Sequence, residues 1–248
     1  MKRKTIKIVL IAIPILLLAK CSGIVDDILG EQFPLNINNN GNSVKIHFNK
    51  IKNTKIIIYA KYSTNKCSTM RLNAEYTKIS YSPMRKTEKI EVKDGVATSV
   101  IPVNGGGWCN WKLVNIDIAP VPIESSLRVS SSLVIDVSDT KVNNISYDII
   151  LVPFTRIYSS KPDDTYYVLS KKENKSISEE KGGDVYFNAE VINDLATHAF
   201  LDKNIIIYPD GTEIYYEDSG KLLSPDFIDI LENSNLKNSI SKEKYMLY

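Results

Sequence analysis

From Val44 onward the chain is built of short runs in which apolar and polar residues alternate, each closed by turn-forming residues. Val44, Ile46 and Phe48 alternate with Lys45, His47 and Asn49. In a strand, alternate side chains point to opposite faces, so this pattern predicts a half-buried β-strand. Lys52-Asn53-Thr54 then turns the chain into Ile56–Ala60, an apolar run suited to a central strand. Arg71–Tyr81 alternates again, and Ile90–Val100 carries Asp94-Gly95 at its middle. Asp-Gly tolerates the positive φ of a tight primed turn, so a hairpin is expected there. Leu113–Ile118, Leu127–Val137, Ile145–Val152, Tyr166–Leu169 and Val185–Val191 are further strand candidates, and Ile205–Tyr208 with Glu213–Tyr216 forms a late hairpin across Pro209-Asp210-Gly211.

Only two segments have helical character. Leu195–Phe200 has helical spacing but is short. Ser224-Pro225-Asp226 offers an N-cap with Pro in the first turn, ahead of Phe227, Ile228, Ile230 and Leu231. So many short strands with regular turn signals predict an all-β fold, an antiparallel immunoglobulin-like β-sandwich with a short C-terminal helix. The expected organisation is a leader over 1–23, an Asn-rich tether over 24–42, a sandwich body over 43–222 and a helix and tail over 223–248. Residues 153–164 allow a soft boundary within the body, which leaves one or two β units open.

The stretch Gly105–Leu113, GGGWCNWKL, holds both Trp of the chain and one of its 3 Cys. On a strand, Cys109, Trp111 and Leu113 share one face and Trp108, Asn110 and Lys112 the other. The first set reads as core, with Trp111 packed beside a disulfide as in immunoglobulin-like domains. A bulge near Leu113-Val114, or burial on both faces, would carry the apolar stripe on to Ile116 and Ile118. Trp108 falls on the polar face, where it either anchors a protein partner or covers the mouth of the sandwich.

The N-terminus speaks of destination. Met1–Lys7 is basic, and Ile8–Ala19 is an apolar run of twelve residues. A bilayer span needs about 20 residues, whereas a secretory h-region needs about 7–15. Leu18-Ala19-Lys20-Cys21-Ser22-Gly23 resembles the lipobox of bacterial lipoproteins, in which the Cys is acylated and becomes the new N-terminus. Lys20 stands where that motif has Gly, Ala or Ser, so cleavage after Gly23 without lipid remains an alternative. Lipidation of Cys21, with Ser22 after it, implies an anchor at the periplasmic face of the outer membrane. It also leaves Cys67 and Cys109 as an even pair for a disulfide in an oxidising compartment. That bridge would close a loop of about 43 residues, worth about 4 kcal/mol in the chain-entropy model.

The formal charge of +2 comes from the leader. Lys2, Arg3, Lys4, Lys7 and Lys20 are unopposed by any acid there, and without them the 31 Lys and Arg fall to 26 against 29 Asp and Glu. An acidic remainder with no basic cluster argues against nucleic-acid binding. No nucleophile elbow, zinc-protease helix motif or phosphate loop occurs. The two His, His47 and His198, are far apart and have no metal-ligand spacing with the Cys. No catalytic residue, metal or cofactor is therefore expected. Leader, lipobox and GGGWCNWKL together resemble small envelope lipoproteins of Gram-negative bacteria. Some of these are similar to immunity proteins against toxins delivered by type VI secretion. The resemblance implies a binding protein for a toxin or effector. A structural lipoprotein without a tight partner and, less favoured, an envelope hydrolase are the other readings.

Overall fold

The computed structural model describes residues 41–67, 71–72, 79–80, 84–92, 95–123, 132–170, 173–217, 222–223 and 225–236. The leader, Cys21 and residues 24–40 of the tether lie outside the described residues. The strands are β1 (Ser43–Ile51), β2 (Thr54–Ser63), β3 (Arg71–Leu72), β4 (Ile79–Ser80), β5 (Met84–Val92), β6 (Gly95–Pro102), β7 (Asn104–Gly106) and β8 (Trp111–Pro122). They continue with β9 (Leu133–Ser138), β10 (Asn144–Ile157), β11 (Asp164–Leu169), β12 (Lys175–Ser178), β13 (Gly182–Val191), β14 (Thr197–Phe200), β15 (Ile205–Ile207) and β16 (Glu213–Tyr215). A helix, α1 (Phe227–Glu232), follows. The fold is all-β with a short helix near the C-terminus.

β3 pairs with β4, and the other strands form one connected ladder that is folded into two layers. One layer runs β5-β2-β8-β9-β12 and the other β6-β1-β13-β10-β11. Two corners join them. β1 and β2 form one long bent strand, antiparallel throughout to a second made of β5 and β6. Ile51 faces Gly95 in one layer, and Thr54 faces Val92 in the other. Positive φ at Lys50, Asn53 and Gly95 lets the ribbon turn there, as strands do when they switch sheets at bulges. Asp94 lies outside the described residues, and the strands flanking it do not pair as the expected hairpin. β5 pairs with β2 and β6 with β1, because the partner strand bends at the same place and carries its neighbour with it.

At the opposite end, β9–β10 and β12–β13 bend together as a parallel ribbon. Ser138 faces Ser178 before the corner and Asn144 faces Asp184 after it. Backbone hydrogen bonds from Ser178 N to Val142 O and from Asp184 N to Asn143 O carry the ladder around. β1 also runs parallel to β13, so the sandwich is mixed rather than purely antiparallel.

Two cores result. The first fills the space between the layers with Val44, Ile46, Phe48, Ile56, Ile58, Tyr62, Ile116, Ile118, Leu133, Ile135, Tyr147 and Phe187. The second lies behind β10 and β11, where Ile150, Val152, Phe154, Tyr166 and Val168 meet Leu195, Ala199, Ile206 and Tyr208, with Phe227, Ile230 and Leu231 of α1. The unbroken apolar run Ile149–Val152 follows from this, since β10 is buried on both faces. Residues 153–164 fall in the β10–β11 hairpin, whose strands contribute to both cores.

Leu195–Phe200 forms no α-turn. A 3-10 turn at Asn193–Leu195 leads into β14, which pairs parallel with Phe154–Ile157 of β10. Burial of Thr197 and Ala199 with His198 exposed follows the strand period. α1 begins after Asp226, two residues later than the Pro signal suggests, and Asp226 makes no side-chain cap bond. Ser224 lies outside the described residues.

Candidate functional site

The sharpest surface feature is the turn between β7 and β8. β7 returns on the start of β8 through Asn104 opposite Lys112 and Gly106 opposite Trp111. Gly106, Gly107 and Asn110 take positive φ, conformations that Gly adopts without penalty and Asn tolerates. Asn104 Oδ1 accepts a hydrogen bond from Gly106 N at 3.1 Å, and Gly107 O accepts one from Asn110 N. The Gly run therefore closes a tight loop whose tip is Trp108.

That loop is fastened to the end of β2. Cys109 is bonded to Cys67 with a Cα separation of 5.3 Å, and Thr64 Oγ1 donates to Cys109 O. Lys66 Nζ donates to Trp108 O at 2.8 Å and lies 4.3 Å from the centre of the Trp108 ring. The alternation read from the sequence holds: Cys109, Trp111 and Leu113 are buried, and Trp108, at 40% exposure, faces out with Asn110 and Lys112. The expected bulge is also present. Lys61 faces Asn115 and Tyr62 faces Leu113, which leaves Val114 as the extra residue.

Beside the turn is an open cleft of about 490 Å³, formed where the chain enters the sandwich. Asn42 is held in place by Val103 N, which donates to its carbonyl at 2.9 Å. Lys112, Glu179, Glu180 and Asn104 line the cleft beside Val103 and Leu113. Both charge signs meet an apolar floor there, and an aromatic ring stands nearby. Such a mixture suits a polar protein loop better than an apolar small molecule.

The two His are not brought together. His47 lies on the outer face of β1, where its Nε2 is 2.7 Å from Asp184 Oδ1 and its ring stacks on Tyr186 at 5.0 Å. His198 is exposed on β14. Among the described residues, no group of three or more His, Cys, Asp or Glu is placed to hold a metal ion. No helix among them is long and apolar enough to cross a membrane.

The outer face of the β6–β1–β13–β10 layer is a second surface, and sequence reasoning passed over it. Its rows run Val100, Lys45, Asp184, Asn144 and then Thr98, His47, Tyr186, Ser146. A third row holds Val96, Asn49, Asn188 and Asp148, tied by hydrogen bonds from Asn49 Nδ2 to Asn188 Oδ1 and from Asn188 Nδ2 to Asp148 Oδ1. The clue was available in GVATSV, an uncharged run read only as one arm of a hairpin. Compared with known proteins, the chain matches no family model, no curated protein and no solved structure.

Proposed function

We propose that this chain is an exported binding protein, held to the periplasmic face of the outer membrane by acyl chains on Cys21, that captures another protein through the Trp108 turn. The observation that carries the reading is the half-exposed indole of Trp108 on a loop fixed by the Cys67–Cys109 bridge. A rigid aromatic anchor loses little conformational freedom on binding, and anchors of this type dominate protein interfaces. The mixed charges of the neighbouring cleft would form the polar rim. The disulfide supports an oxidising compartment, as export through the leader requires. The partner class favoured by the lipoprotein resemblance is a toxin or effector entering the periplasm, with the chain as its immunity protein.

The test is affinity capture from envelope extracts with the wild-type chain and with Trp108→Ala, alongside growth of the expressing cells against a toxin-delivering competitor. A partner retained by the wild type and lost at least tenfold by the variant is the expected result. A chain that captures nothing and protects no cell would instead fit a structural lipoprotein without a tight partner.

A further inference from the structure

β5 and β6 form the two edges on one flank of the sandwich. They meet at the Val92–Gly95 corner, and Ser99 Oγ donates across to Glu88 Oε2 at 2.8 Å. The edges differ in chemistry. β5 carries Arg85, Lys86, Glu88, Lys89 and Glu91, and charged side chains are how exposed edges resist pairing. β6, GVATSVIP, has no charged residue over 8 positions. Among the described residues it pairs with β1 alone. Its outward side chains are exposed Thr98, Val96 at 71% and Val100 at 54% exposure.

We propose that β6 is the interface of a two-fold dimer, in which β6 of a second copy adds antiparallel to it about Thr98. The pattern is symmetric around that residue. Reversal places Val96 against Val100 of the second copy and Thr98 against Thr98, while the small inward residues Ala97 and Ser99 face each other. β-Branched residues opposite one another are favourable cross-strand pairs. The two-fold axis of an antiparallel pair is perpendicular to the sheet, so the β5 edges also approach. Reversing β5 sets Arg85 and Lys86 toward Glu91 of the second copy, and the charges are complementary. A continuous sheet through both subunits results.

Sedimentation of the full, oxidised chain, with two variants at Thr98, tests this. The wild type is expected at twice the mass of one chain at micromolar concentration. Thr98→Lys, which sets two ammonium groups opposite each other, is expected to sediment as monomer with unchanged far-UV circular dichroism. Directly opposed Cα atoms in such a pair lie about 4.5–5.5 Å apart, within disulfide reach. Thr98→Cys is therefore expected to give a covalent dimer on non-reducing gels, and Val142→Cys, exposed at the other corner, is not. A wild type that stays monomeric at high micromolar concentration overturns the proposal. So does a Thr98→Cys adduct with a different polypeptide in envelope extracts, which would give the edge to a foreign strand.

Discussion

Gly183 presses against the carbonyl of Asn143: a Cβ added to it would sit 1.8 Å from that oxygen. The contact lies inside the corner where β9–β10 and β12–β13 pass from one layer to the other, and Asp184 N donates to the same carbonyl at 2.8 Å. The corner can close only if residue 183 has no side chain. Gly183→Ala is accordingly expected to lower stability by at least about 3 kcal/mol, through backbone clash added to the strain of its positive φ. Gly211 also has positive φ, but open space surrounds its Cβ position. Gly211→Ala should lose only the conformational term of about 1–2 kcal/mol. Urea midpoints of the two variants check the difference, and equal losses would refute the steric account of the corner.

Removing the bridge separates two effects. Cys67→Ala with Cys109→Ala releases a loop worth about 4 kcal/mol in the chain-entropy model. It also loosens the Trp108 turn from the end of β2, leaving the Thr64 and Lys66 contacts among its links to that segment. The double variant should unfold at lower urea and lose partner capture even under conditions where it is folded. Retained capture in the folded variant would show that rigidity of the turn is not needed.

Most strands were legible because their two-residue period is set by burial of one face. Their partners were not, since pairing depends on where the ladder bends. Asp94-Gly95 is compatible with a tight hairpin or with a corner, and positive φ at Lys50 and Asn53 on the neighbouring strand decides for the corner. In β6 the more apolar phase, Val96 and Val100, faces outward, because registration of Val44 with Ile101 fixes Ile101 inside. Leu195–Phe200 is too short to distinguish periods of 2 and 3.6, and its ladder with β10 settles it as strand. The GGGWCNWKL faces were readable because a Cys and a bulky ring two residues apart mark a core side unambiguously.

Alkaline pH should unfold the protein cooperatively. Burial pushes the hydroxyls of Tyr62, Tyr166, Tyr167 and Tyr208 above the ordinary tyrosine value, which is about 10. A raised folded-state pKa means that the folded chain keeps protons the unfolded chain releases. Stability from these groups is therefore intact below pH about 10 and declines as pH rises past it, by at most about 1.4 kcal/mol per pH unit for each group. Tyr62→Phe removes one such group and should make the decline between pH 10 and 12 shallower. The variant also loses the hydrogen bond that Tyr62 Oη donates to Pro102 O at 3.0 Å, so its stability near neutral pH should be lower by about 1 kcal/mol. Chemical denaturation at a series of pH values measures both terms, and parallel curves for the two proteins would contradict the assignment.

The two Trp provide the cleanest separation of scaffold from surface. Trp111 is 7% exposed in the first core, next to buried Cys109 and Leu113. Truncating so large a buried ring leaves a cavity, so Trp111→Ala should cost about 3–5 kcal/mol. Trp108 points outward, with its backbone carbonyl accepting from Lys66 and the Lys66 ammonium lying over its ring. Truncation there keeps the backbone tie and loses an exposed cation–π contact of about 0.5–1 kcal/mol. Trp108→Ala should therefore shift the urea midpoint little while abolishing partner capture, and Trp111→Phe should lower stability and leave capture by the folded fraction intact. Tryptophan emission reports the same division: the red-shifted, quencher-accessible component should vanish in Trp108→Ala and persist in Trp111→Phe. If Trp108→Ala instead destabilised the chain as strongly as Trp111→Ala, the exposed ring would be part of the scaffold, and the binding surface would have to be sought elsewhere.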